Sequence, residues 1–217
     1  MAKPHFIFDF ETMGQDLQKC VLLDCSYVIF DWDVFYHEKG YTFYELEQLI
    51  RRAKFDVTHQ VKNLRYVIEK ESLEWWKSQE GRVRDKIQPS SEDVTPEWFL
   101  EDLGDYLEDN LGYPLKAWWS RSNAFDPVIL WRLTDNLVHS GKVQKNLPHW
   151  KVRDTRTFID AKMNFSLKNN GFVPVEDEEE WNRIFEKHNS THDVVADILR
   201  LQTLTRIEND LPWSKIS

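Results

Sequence analysis

In Phe6-Ile7-Phe8-Asp9-Phe10-Glu11-Thr12 four residues are apolar and two acids stand at alternate positions, matching the two-residue period of a β-strand. Val21 to Asp31 reads as a second strand. The apolar spacing of Val34 to Tyr44 predicts a third, after a turn at Asp31-Trp32-Asp33. Segments of this kind joined by tight turns predict an antiparallel meander. The period then changes. Glu45 to Lys54 reads as a short amphipathic helix, Phe55, Val57 and Val61 as an extended segment, and Leu73 to Gln79 as a helix carrying Trp75 and Trp76. Pro89 to Asp93 is a turn. Thr95-Pro96-Glu97 opens the next helix, with a capping hydroxyl ahead of a proline at the first helical position. That helix runs to Asn110 and stops at Leu111-Gly112, before Pro114.

Leu115 to Ser120 is a short apolar strand, followed after Arg121-Ser122-Asn123 by a helix reaching His139 that Ser140-Gly141 ends. Residues 142–151 form a basic loop, Val152-Arg153 a last strand, and Asp154 or Thr155 caps a helix through Met163. Residues 164–190 are irregular, apart from a short helix through Trp181 and Phe185. A closing helix spans Thr191 to Ile207, and the tail after Pro212 is expected to fray. Strands first, then helices alternating with shorter strands, predict an α/β layer fold with a mixed sheet and the opening strand at its centre. The length of 217 residues fits a single domain over residues 1–217.

Composition narrows the function classes. No apolar run is long enough to span a membrane, and the N-terminus lacks the pattern of a signal peptide, so no membrane partner is expected. Cys20 and Cys25 sit too far apart in an extended chain to bridge, which predicts a reducing, cytoplasmic compartment (host cytoplasm if the chain is phage-encoded). A net charge of −9 argues against broad coating of a nucleic acid, but not against gripping a chain end. The basic residues cluster, at Arg51, Arg52 and Lys54, at Arg82, Arg84 and Lys86, and at Lys142, Lys145, Lys151 and Arg153.

Chemistry enters at three places. Asp9 and Glu11 share one face of the opening strand, and two adjacent carboxylates in a buried strand call for a cation between them. Asp126 stands at the strand-to-helix corner after Asn123 and Phe125, a usual place for function in an α/β sheet. His192 and Asp197 lie on the closing helix but point about 140° apart on an ideal one. They converge only if His192 lies at the helix start or in the preceding loop. Asp193 is the rival ligand, one turn before Asp197 and on the same face.

Taken in order and spacing, Asp9-x-Glu11, Asn123-Ala124-Phe125-Asp126 and His192-x4-Asp197 resemble the three motifs of the DEDDh (DnaQ-like) class of 3′–5′ exonucleases. Within it, Phe8 to Gly14, Glu74 to Gln79 and Arg121 to Leu130 are similar to the exonuclease A group of tailed phages and to a bacterial exoribonuclease group with paired Trp. The resemblance implies a ribonuclease H-like three-layer fold, its mixed sheet flanked by helices. It also implies two Mg²⁺ or Mn²⁺ ions held by Asp9, Glu11, Asp126 and Asp197, with His192 as general base. The expected reaction is removal of nucleoside 5′-monophosphates from a nucleic-acid 3′ end, single-stranded DNA favoured over RNA. Substrate contacts fall to Thr12, Met13, Trp75, Ser122, Asn123 and Phe125. Trimming of RNA, and an inactive end-binding module, remain as alternatives. The chain would act as a free-standing nuclease or a subunit, and its oligomeric state is not legible.

Overall fold

The computed structural model describes residues 3–137, 141–166 and 171–217. Among them, β1 (Pro4–Thr12), β2 (Leu22–Asp31), β3 (Arg51–Lys54), β4 (Ala117–Ser120) and β5 (Val152–Asp154) form one mixed sheet in the order β3-β2-β1-β4-β5. β1 pairs antiparallel with β2 and parallel with β4, and β4 pairs parallel with β5. Around the sheet lie α1 (Phe43–Leu49), α2 (Val57–His59, continuing as a π turn over Gln60–Leu64), α3 (Lys70–Lys77), α4 (Gly81–Ile87) and α5 (Pro96–Asn110). The remaining helices are α6 (Asp126–Asn136), α7 (Gly141–Asn146), α8 (Thr155–Lys162), α9 (Glu178–Ile184) and α10 (Ser190–Ile207).

The alternation in β1 sorts its side chains between two cores. Phe6, Phe8 and Phe10 pack with Phe99, Leu100 and Leu103 of α5 and Ile129, Leu130 and Leu133 of α6. Ile7, on the opposite face, packs with Phe43 and Leu46 of α1 and with Val194, Val195, Ile198 and Leu199 of α10. The result is an α/β fold of three layers with β1 central. Thr95 caps α5 by accepting from the Trp98 N–H, and Pro96 occupies its first turn. A Cβ at Gly104 would stand 2.8 Å from the Lys142 Cβ, so α7 approaches α5 this closely only because that position is glycine.

Several elements differ from the sequence expectation. Val34 to Tyr44 is not a strand. The Asp31 carboxylate accepts from the Asp33 N–H and starts a 3₁₀ turn over Trp32–Tyr36. Thr42 and Glu45 then form a reciprocal capping box that starts α1 at Phe43. The third strand of the meander is instead Arg51–Lys54, inside the segment expected to be helical. There Ala53 and then Phe55 enter the core while Arg51 and Arg52 stay outside. Val57 belongs to a helical turn capped by Asp56, not to an extended segment. The predicted basic loop contains α7 and a 3₁₀ turn at His149–Lys151. α6 ends at Asn136, and His139 and Ser140 lie outside the described residues. The C-terminal tail is docked rather than frayed: Ser214 and Ile216 are buried, and Lys215 and Ser214 bridge to Thr42 and Val175.

Adjacent residues on α5 offer a test of this core. Phe99 is fully buried, with its ring against Phe10, Tyr27 and Phe55, whereas Trp98 is 50 % exposed. Phe99→Ala is expected to cost about 3–5 kcal/mol in urea denaturation, and Trp98→Ala less than about 0.5 kcal/mol.

Candidate active site

Asp9 and Glu11 emerge at the C-terminal end of β1, on the face turned toward α10. Cross-strand from Asp9 is Ser26, whose hydroxyl bonds the hydroxyls of Ser190 at 2.7 Å and Thr191 at 2.9 Å. This pins the first turn of α10 over the sheet beside Asp9. In consequence Asp193 joins Asp9 and Glu11, with one carboxylate oxygen from each within 4.8 Å of the others. The fourth acid comes from the opposite layer. Asp126 opens α6, is buried, and accepts the Phe10 N–H at 3.1 Å through Oδ1.

Burial and mutual repulsion disfavour ionisation throughout this group. Asp9 is raised well above the ordinary carboxylate range by burial first, then by Asp126, Glu11 and Asp193. Glu11 is raised by burial, then by Asp193 and Asp24. Burial pushes Asp126 up to about 7. Asp193 is likewise pushed to about 7, by burial and then by Asp197.

Asp197 does not join the cluster. One of its oxygens is taken by Arg121, just past β4, and by Arg200 at 3.1 Å, and the other accepts the Thr155 hydroxyl at 2.6 Å. His192 turns away as well. It lies within the first turn of α10, not ahead of it, and its ring is buried. Nε2 bonds Glu47 at 3.0 Å, Nδ1 accepts the Glu186 N–H at 2.9 Å, and Phe43 packs edge-on. The expected convergence of His192 with Asp197 is therefore corrected. A second His-x4-Asp spacing exists one helical turn earlier, as His188-x4-Asp193. His188 precedes the helix, in a left-handed conformation with φ 63°, and its N–H donates to Asp193 Oδ2 at 3.1 Å. Burial, then Lys187, lowers the pKa of its imidazole.

Beside the acids is a pocket of about 740 Å³, whose lining includes Glu11, Leu17, Trp75, Trp76, Ala124 and Phe125. Thr12 also lines it, and the Thr12 hydroxyl donates to the Gly14 carbonyl at 2.7 Å. Met13, expected against a base, is half-buried and packs against the hydrophobic cores without lining this pocket, and Leu17, which sequence reasoning passed over, supplies apolar wall. Ser122 and Asn123 form the turn ahead of α6: the Ser122 carbonyl accepts the Phe125 N–H and Asp154 accepts the Asn123 N–H. Asn123 Oδ1 is buried and has no hydrogen-bond partner among the described residues. No helix among the described residues is long and apolar enough to cross a membrane.

Known proteins share this architecture. An exodeoxyribonuclease of Enterobacteria phage T4 is 30% identical over 211 residues, covering 93% of this chain and 88% of the phage protein. Exonuclease I of Methylocaldum szegediense superposes with a TM-score of 0.57 at 12% identity over 96% of this chain. E. coli exonuclease I, solved in complex with a 5cy-dA13 oligonucleotide, gives 0.54 at 11% over 94%. The chain spans only 41% and 40% of those two exonuclease I chains, and the likeness establishes the ribonuclease H-like fold. The family described as "3'-5' exoribonuclease Rv2179c-like domain" matches residues 4–203. With that span covered, the chain belongs to the Rv2179c-like domain family and is a 3′–5′ exonuclease of the DnaQ-like group.

Proposed function

We propose that this chain hydrolyses the terminal phosphodiester at the 3′ end of single-stranded DNA, using divalent cations held by Asp9, Glu11, Asp126 and Asp193. The observation that carries the reading is the cluster of Asp9, Glu11 and Asp193, whose ligand oxygens lie within 4.8 Å of one another. The donor set fits Mg²⁺ or Mn²⁺, hard cations that prefer carboxylate oxygen. Their raised pKa values express the same fit: the acids are costly together unless protons or cations offset their charge. A bound pair of such ions supplies positive charge to the attacking and leaving oxygens of the phosphodiester.

Asp9 feels Glu11, Asp126 and Asp193 together and is the residue suited to bridging. Asp197 is left out, since Arg121, Arg200 and Thr155 already occupy its oxygens. His188, not His192, is the proposed general base. Its depressed pKa keeps the imidazole neutral near physiological pH, able to take a proton from the attacking water. The products would be nucleoside 5′-monophosphates. The terminal base would enter the pocket between Phe125, Leu17 and Trp75.

Similarity to the phage exodeoxyribonuclease across 93% of the chain supports DNA as substrate. A second reading, trimming of RNA, is supported by the family's description as an exoribonuclease domain. Incubating 5′-labelled single-stranded DNA and RNA of one sequence with Mg²⁺ or EDTA separates them. A Mg²⁺-dependent ladder on DNA is expected. Shortening of RNA alone would transfer the proposal to RNA, and shortening of neither would end it.

The two histidines part the roles further. His188→Ala is expected to lower kcat by about 10²–10⁴-fold. His192→Ala should keep near wild-type kcat per folded molecule while lowering Tm, because it loses the Glu47 and Glu186 bonds. The reverse pattern in the same assay would restore His192 as base.

The acids also set a pH dependence. Asp126 and Asp193 move from the ordinary 3.8 to about 7 on folding, so across that window the folded state binds more protons than the unfolded one. Without metal, the stability they contribute is present at low pH and lost as pH rises through about 7. Thermal unfolding in EDTA should therefore show Tm falling from about pH 5 to about pH 8, and Mg²⁺ raising Tm more at the higher value. An equal Mg²⁺ shift at both pH values would contradict metal binding to these acids.

A further inference from the structure

The paired tryptophans of α3 reach two different parts of the site. Trp76 is buried, and its Nε1 donates to the Thr12 carbonyl at 2.8 Å, at the end of the strand that carries Asp9 and Glu11. Trp75 is 41 % exposed and lines the pocket. Its ring also meets the His188 ring edge-on, with centroids 4.7 Å apart and planes at 85°. The two indoles touch each other at 4.9 Å. α3 thus braces the first acidic motif against the loop that enters α10. Arg82 of α4 adds a second link to that loop through Glu186, at 3.7 Å.

His188 needs such a brace. Its left-handed backbone is one that residues other than glycine adopt only where surrounding contacts hold it. Its N–H is fixed by Asp193, but that bond leaves the imidazole free to rotate about its side-chain torsions. Trp75 is the ring that bears on the imidazole, and the same indole forms part of the wall that a nucleobase would touch.

We infer that Trp75 is a positioning residue that couples occupancy of the pocket by the 3′-terminal nucleobase to the orientation of His188. A base packing on the indole immobilises it, and the indole edge then holds the imidazole in its working rotamer. Stacking of this kind accepts every base, so the device reports the presence of a terminal base rather than its identity. The inference rests on His188 as general base. It differs from a plain stacking role in which kinetic parameter it affects. A wall that only binds the base contributes to KM, whereas a residue that orients the catalytic group contributes to kcat.

The test uses two oligonucleotides of the nucleic acid the enzyme degrades, identical except that one lacks the base of its 3′-terminal residue. Single-turnover rates are measured on both for the wild type, Trp75→Phe and Trp75→Ala. The wild type is expected to lose on the order of 10²-fold in kcat on the abasic end, as for a misoriented catalytic group. Trp75→Ala should show a similar loss on the intact end and little further loss on the abasic one. Trp75→Phe, which keeps an aromatic edge, should recover most of the rate. A rise in KM alone, or an abasic penalty as large in Trp75→Ala as in the wild type, would overturn the coupling. If Trp75→Ala does not fold, Trp75→Leu is read by the same two criteria. His188→Ala run alongside separates the failures. Wild-type kcat there defeats the general-base assignment itself, whereas its inactivity beside a fully active Trp75→Ala defeats the coupling alone.

Discussion

Repulsion among buried carboxyl groups is the constraint on which the rest of this structure depends. Asp9, Glu11, Asp126 and Asp193 are all raised by burial and then by neighbouring carboxylates, Asp197 among them, and three elements hold them: β1 carries Asp9 and Glu11, α6 Asp126 and α10 Asp193. The arrangement persists because β1 is anchored on both faces. Phe6, Phe8 and Phe10 are buried against α5 and α6, and Ile7 against α1 and α10. Apolar burial on that scale is the favourable contribution that sets the acids side by side. The same aromatic side of β1 meets Asp126, whose carboxylate takes the Phe10 N–H.

α10 decides which of its polar groups join the acids. Steps of about 100° per residue put Asp193 and Asp197 on one face and turn His192 off it. Asp193 meets Asp9 and Glu11. Asp197, one turn deeper, would add a fifth negative charge, but Arg121 and Arg200 offset it in place. At the far end of the helix, Arg206 donates to the carbonyls of Phe35 at 3.0 Å, His37 at 2.6 Å and Glu38 at 2.8 Å. Gln202 bonds Tyr41 through both main-chain groups. The segment between β2 and α1 is thus shaped by α10, with its polar backbone satisfied there rather than in a sheet ladder.

That dependence explains what the sequence made legible. The centrality of β1, the start of α5 at Thr95-Pro96 and the α/β layering rest on alternation and caps, which act within a few residues. Val34 to Tyr44 resembled a strand because its apolar residues are spaced for burial, while the groups that bend it, Gln202 and Arg206, lie far along the chain. Thr42-x-x-Glu45 was a local warning of the earlier helix start. The choice between the two histidines is ambiguous in the sequence for a different reason. His188-x4-Asp193 and His192-x4-Asp197 have identical spacing, offset by one helical turn, so spacing alone cannot choose between them. Helix geometry can: a histidine five residues before an aspartate reaches it only from outside the helix, and α10 begins at Ser190, between the two histidines. Arg121, the partner that removes Asp197 from the cluster, could be found only in three dimensions.

The charge distribution bears on how an acidic protein can handle a polyanion. Several residues of the basic clusters conspicuous in the sequence pair with acids of the same chain. Arg52 pairs with Asp24, Lys54 with Asp93, and Lys142 and Lys145 with Glu108, while Arg51 lies over the Tyr106 ring. Residues spent in this way make a poor track for a long phosphate backbone, whose binding depends on many free cations displacing counterions. What the molecule offers instead is local: an acid cluster suited to divalent cations, and a pocket walled by Leu17, Trp75 and Phe125 beside it. In the proposed reading, recognition is therefore concentrated on the last nucleotide, where bound cations meet phosphate and aromatic rings meet the base. A net charge of −9 is compatible with that chemistry because the proposed grip extends over one chain end and not along a strand.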